Sequence, residues 1–235
     1  MNKNTSKSTK KTDIQRLSIL AIFTAIILLM SFTPLGYLRL GAIEITLIMI
    51  PVAVGAIITG PKGGLFLGTM FGLTSFIVGL SSPMVLVLID LDPVINTILI
   101  FIWLVVPRAL MGFLVSIIFK AVSKIDKTNT ISFLIAAASG AVLNTLLYIT
   151  FMFLTFGFNK SFLELFGADS IIVVIISLIT VNAMIEVATS LIVGGGLSKA
   201  LSVYLPGGKK HRQVIDQKHI NSETTDTAVD QGDIK

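Results

Sequence analysis

Cysteine is absent from this 235-residue chain, which excludes disulfides, thiolate catalysis and cysteine-ligated metals. The only histidines, His211 and His219, lie in the polar segment after Pro206. The apolar body therefore has no imidazole for proton transfer or metal binding. Charge is scarce, with 13% of residues being Asp, Glu, Lys or Arg. There is no Gly-rich phosphate loop, no acidic cluster on one helix to hold Mg²⁺, and no Ser/His or paired-Asp constellation. Nothing activates a nucleophile and nothing cradles ATP, so the chain is not expected to be an enzyme, and no cofactor or metal is expected. Also missing are the inverted halves with interrupted helices of secondary transporters.

What the chain has is hydrophobic residues, at 54% of the total. Long apolar runs recur, each able to cross the ~30 Å hydrocarbon core of a bilayer as a helix. Such runs are foreign to a transmembrane β-barrel, whose strands are short and alternate apolar with polar. The expected class is an all-α membrane protein, a six-transmembrane-helix bundle. Its spans fall at about residues 17–35, 43–59, 65–79, within 95–120, 131–156 and 171–201. Residues 1–16 read as a disordered polar tail, 17–205 as the membrane domain and 206–235 as a second disordered tail. The first apolar run resembles a signal peptide, but it is too long and lacks a small-residue cleavage site, so it is read as an uncleaved span.

The net charge of +5 is no nucleic-acid signal, because the basic residues gather at helix ends. An even span number puts both termini on one side. That side collects the lysines of the first tail with Arg16, then Lys62, Lys120, Lys124, Lys127, Lys199, Lys209, Lys210 and Arg212. The other side has only Arg39 and Lys160, beside Glu44, Asp90, Asp92, Glu164 and Asp169. The positive-inside rule makes the first side cytoplasmic.

One full charge, Arg108, lies inside the apolar run 95–120. Arginine at the centre of a spanning helix costs roughly 2.5–3.5 kcal/mol on insertion scales. Either it snorkels or pairs with Asp90 or Asp92, or it faces a solvated pocket and holds an anion, for which a planar guanidinium is suited. Pro107 disfavours helix at Val106, so the span is expected to kink there or to begin near Pro107 after a short surface helix. Asn144 must bond a neighbouring helix or a ligand, because an unpaired amide in hydrocarbon is costly. Asn182 and Glu186 are four apart and share a helix face. Glu186 is a partner for Arg108, a polar anchor nearer the cytoplasm, or a contact for another protein. Small residues four apart, Gly64, Gly68 and Gly72 in one span and Ala21 and Ala25 in another, allow close helix approach. The alanine pair could equally be an exposed docking face for another membrane subunit.

Several stretches, taken in order, resemble a known family. They are Ala21-x3-Ala25, the Ile-Pro-Val-x-x-Gly-Ala stretch at 50–56, Gly-Pro-Lys-x-Gly at 60–64, and Phe71-Gly72-Leu73-Thr74-Ser75. Pro107-Arg108-x3-Gly112, Asn144-Thr145 and Asn182-x3-Glu186 follow. The resemblance, over about residues 15–205, is to the substrate-binding S components of energy-coupling factor (ECF) vitamin transporters, most of all to the pantothenate branch. It implies a six-helix vitamin-binding fold in the bacterial cell membrane, with the ligand near the extracellular side under the loops. The implied partners are a transmembrane coupling protein and two ABC-type ATPases, with Ala21 and Ala25 on the docking face. The substrate contacts it implies are Arg108 and Asn144, and Trp103, Thr145 and Asn182 are taken as candidate substrate-binding residues beside them. Met49 stands where many relatives are expected to carry histidine. Pantothenate, a small monoanion with hydroxyls and an amide, suits one Arg and several neutral hydrogen-bonding groups. Folate, hydroxymethylpyrimidine or pyridoxine, and cobalamin are the other vitamins to weigh, beside a structural subunit with no transport role.

Overall fold

The computed structural model describes residues 3–40, 43–82, 85, 93–126, 130–156, 182–197 and 200. All but the last fall in one unit, Met1–Ser198. The loop carrying Asp90 and Asp92, residues 157–181, and the tail expected at 206–235 lie outside the described residues.

Helix α1 spans Lys3–Ser31. Helical backbone therefore extends into the segment expected to be disordered, whose lysines and glutamine are good helix formers. Its candidate span is Ile14–Ser31. Within that span only a narrow stripe, Phe23, Ile27 and Ser31, is buried. These residues are four apart and lie on one face. Ile22, Leu28 and Leu29 are exposed, which in a bilayer means contact with lipid.

After α1 the chain turns tightly at Pro34 and Gly36. A Cβ on Gly36 would run into the Met30 carbonyl oxygen, so only glycine fits this close approach. Here the structure departs from the sequence reading. The connection is a β-hairpin, with β1 at Tyr37–Leu40 and β2 at Ile43–Thr46, paired antiparallel from Tyr37↔Thr46 to Leu40↔Ile43. The physical reason lies in Ile43-Glu44-Ile45-Thr46, where apolar isoleucine alternates with polar residues at period two and three of the four are β-branched. Among the described residues this small hairpin is added to an otherwise helical architecture.

The second helix is shorter than expected for the same reason. Helix α2 covers Met49–Thr59, 11 residues, or about 16 Å at 1.5 Å per residue, which does not cross a bilayer unaided. Every residue of α2 but Ile58 is buried, the mark of a helix surrounded by others. Pro51 sits in its first turn, where a missing N–H costs nothing. Gly60, at φ 81°, reverses the chain in a conformation that glycine adopts freely. Pro61 then starts α3, Pro61–Gly79.

Helix α4 runs from Pro93 to Val122, 30 residues straight through Pro107. The helix therefore does not start near Pro107. Helix α5, Thr130–Phe156, is fastened at its start by Asp126, whose Oδ2 accepts the Ser132 N–H at 2.9 Å and the Ser132 hydroxyl at 3.0 Å. Helix α6, Asn182–Thr189, passes into a π-helical turn at Ser190–Gly195.

The glycine stripe of α3 is an internal seam. A Cβ on Gly64 would strike the Gly112 carbonyl, one on Gly68 the Arg108 carbonyl, and one on Gly72 the Val105 backbone. Helices α3 and α4 thus touch backbone to backbone. Four of the described helices are long and apolar enough to cross a membrane: Ile14–Ser31, Pro61–Gly79, Pro93–Val122 and Ile131–Phe156. The protein is a helical membrane protein.

Candidate functional site

Pro107 governs the conformation of Arg108. It has no N–H, so it leaves the carbonyl of residue i−4, Trp103, without its helical partner. Arg108 folds back along α4 and its Nη1 donates to that carbonyl oxygen at 3.4 Å. The backbone beneath is pinned, because Gly68 of α3 packs against the Arg108 carbonyl. The arginine is buried, with 9% of its surface exposed. Its guanidinium carbon lies 4.7 Å from the ring centroid of Tyr148 and 5.6 Å from that of Phe71, both within the range of cation–π attraction. Its Nε has no hydrogen-bond partner.

Trp103 forms the next layer. Its Nε1–H donates to the Tyr148 carbonyl at 3.2 Å, and its ring packs 5.0 Å from Tyr148 and 5.7 Å from Phe156. Tyr148 is thus held from one side by Trp103 while it offers ring surface to Arg108. Ile100, Leu104 and Met152 close the apolar packing around this group.

The opposite charge comes from α6. Glu186 is buried, with 4% exposed. Its Oε1 accepts the backbone N–H of Thr46 at 3.1 Å, and its Oε2 accepts the Thr145 hydroxyl at 3.4 Å. The Asn144 side chain also hydrogen-bonds this carboxylate. One carboxylate therefore joins β2, α5 and α6. Thr46 pairs with Tyr37 across the hairpin, and the Tyr37 hydroxyl lies 3.1 Å from the Ser75 hydroxyl of α3. The base of the hairpin is in this way tied to both sides of the bundle. Arg108 is in electrostatic reach of Tyr148, Tyr37 and Glu186.

Among the residues singled out from sequence, Arg108, Trp103, Asn144 and Thr145 come together here. Asn182 lies on α6 one turn before Glu186, and its side chain lies outside the described residues. Ala21 and Ala25 are exposed on α1, on the side away from Phe23, Ile27 and Ser31. Sequence reasoning missed Tyr37, Thr46 and Tyr148 as neighbours of the charge. Tyr148 carried a usable signal, since it lies four residues after Asn144 and so on the same face. Thr46 carried none, because it contributes a backbone N–H. Among the described residues no three of His, Cys, Asp and Glu gather as metal ligands. A buried cation against aromatic faces and, within its electrostatic reach, a buried carboxylate bonded to a hydroxyl suit noncovalent capture of a polar anion.

A family model described as "ECF transporter, substrate-specific component" matches residues 15–194. The pantothenic acid transporter PanT of Lactococcus lactis subsp. cremoris (strain MG1363) is 31% identical over 194 residues, which are 77% of this chain and 96% of that protein.

Proposed function

This chain belongs to the ECF transporter substrate-specific components, and from that premise we propose that it is the pantothenate-binding subunit of an ECF-type importer. The observation that carries the reading is Arg108, a buried guanidinium held by one long hydrogen bond and two aromatic faces, with its Nε unspent. A carboxylate is its natural counterpart, because the planar fork can donate two parallel bonds to it. Pantothenate supplies one carboxylate, with an amide and hydroxyls for the surrounding Asn144, Thr145 and Trp103 region, and we assign Asn182 to the same site. The similarity to a pantothenic acid transporter supports the same ligand.

In this reading six helices span a bacterial cell membrane with both termini in the cytoplasm, as the distribution of Lys and Arg favours. The ligand enters from outside under the β1–β2 hairpin. ATP hydrolysis is supplied by partners, a transmembrane coupling protein and two ABC-type ATPases, with Ala21 and Ala25 at the contact. The test is calorimetry on the purified chain in lipid nanodiscs, with no ATPase present. Pantothenate is expected to bind to one site, and Arg108→Ala to weaken binding by about a hundredfold or more, as for loss of a buried charge-assisted bond. A folded protein that gives no heat and no thermal shift with pantothenate would leave the non-transport, structural subunit as the better reading.

A further inference from the structure

Arg108 and Glu186 are opposite charges in one buried neighbourhood, yet they form no direct ion pair. Buried opposite charges ordinarily close on each other, since each is expensive when left unpaired. Here each is held back. Arg108 is drawn to the Trp103 carbonyl and the Tyr148 and Phe71 rings, while Glu186 is drawn to Thr46, Thr145 and Asn144. Both retain unused bonding capacity. A guanidinium has several N–H donors, and here Nε has no partner. A carboxylate offers about four acceptor sites, and its present donors come from the β2 and α5 sides only.

Donor surplus at one pole and acceptor surplus at the other is complementary to a particular ligand chemistry. The ligand needs an acceptor anion at one end and a hydroxyl donor at the other. We infer that Glu186 is a specificity-determining residue, accepting a hydrogen bond from the hydroxyl-bearing end of an acid whose carboxylate is held by Arg108. This rests on the proposed pantothenate function, because pantothenate has its carboxylate and its hydroxyls at opposite ends. A simple acid would still engage Arg108 but would bring no hydroxyl donor to the Glu186 carboxylate. Sites built to bond a hydroxyl reject analogues that lack it far more strongly than apolar pockets discriminate by size.

The test is a cycle of two proteins and two ligands, measured by calorimetry in nanodiscs. The ligands are pantothenate and the β-alanine amide of the same acyl chain without its hydroxyls. The proteins are wild type and Glu186→Gln, which is near in size but lacks the charge. Wild type should prefer pantothenate by about tenfold to a hundredfold, the range for one hydrogen bond to a charged group. Glu186→Gln should lose about tenfold for pantothenate and little for the analogue. Equal losses for both ligands would show Glu186 acting only through the hairpin or through charge, and would overturn the inference. So would unchanged binding. Should Glu186→Gln not fold, Glu186→Asp, which keeps the charge and draws it back, is measured in its place with the same expectation. A folded wild-type protein that ignores pantothenate refutes the proposed substrate and this inference with it. Tight pantothenate binding without preference over the analogue overturns the inference alone.

Discussion

Replacing Gly68 with alanine adds one methyl group where α3 and α4 meet backbone to backbone. The new Cβ would fall on the Arg108 carbonyl oxygen and lie 3.0 Å from the Ala109 Cα and the Arg108 carbonyl carbon. None of these is the end of a flexible side chain, so no rotamer change can make room. The helices must separate by about 1 Å to restore ordinary carbon–carbon and carbon–oxygen contact distances. Overpacking of this kind costs about 1–3 kcal/mol. Because the clash is on the Arg108 peptide itself, the displacement is passed directly to the guanidinium. Gly196→Ala is the control, as nothing lies within 4 Å of its added Cβ and its φ of −62° suits any residue. The assay is thermal unfolding in nanodiscs with and without pantothenate, alongside calorimetry. Gly68→Ala is expected to lower the unfolding temperature and to weaken pantothenate by about tenfold, given how steeply hydrogen bonds depend on alignment. Gly196→Ala should match wild type in both. Wild-type stability and affinity for Gly68→Ala would refute the claim that this seam fixes the position of Arg108.

Tyr148→Leu removes the ring 4.7 Å from the Arg108 guanidinium while keeping an apolar side chain, and should weaken pantothenate several-fold, in line with about 0.5–2 kcal/mol for a cation–π contact. Tyr148→Phe keeps the ring and separates its face from its hydroxyl, so a loss that appears equally in both variants would assign the effect to the hydroxyl. Ala25→Trp on the exposed side of α1 should leave pantothenate binding unchanged and abolish uptake by the assembled transporter in vesicles. Undiminished uptake would place the coupling-protein contact elsewhere.

The long helices were legible because their signal is length and apolarity, and α3, α4 and α5 fall where the runs place them. The hairpin was not. Ile43–Thr46 continues into apolar α2 with no polar break, so a window long enough to detect a span absorbs a four-residue strand. Pro107 misled for a related reason. A proline marks a probable boundary, but inside a packed bundle the freed carbonyl can find another donor and the helix goes on. Arg108 was conspicuous because charge is rare in an apolar run. Its aromatic neighbours were not, because Phe and Tyr in membrane helices are common and only the three-dimensional arrangement shows which face the charge. Glu186 stood out as an acid one helical turn from Asn182, but its bond to the Thr46 backbone spans 140 positions of sequence and leaves no local trace.

The Pro107-Arg108 pair shows how a helix defect and a buried charge can support each other. Alone, the proline would leave the Trp103 carbonyl without a donor in a medium that supplies none, at a cost of several kcal/mol. Alone, the arginine would be a costly charge with many rotamers and no fixed direction. Next to each other, the freed carbonyl draws Nη1 back along its own helix, and the side chain is aligned between Phe71 and Tyr148 before any anion arrives. The bond that holds it is long, at 3.4 Å, near the limit of useful hydrogen-bond geometry. An arriving carboxylate therefore competes with a weak neutral acceptor, and meets a guanidinium whose side-chain entropy has already been largely lost. Strong pairing of Arg108 with a carboxylate of its own chain would have oriented it as well, but the ligand would then have to break an ion pair. Separation from Glu186 keeps the arginine ordered and still available.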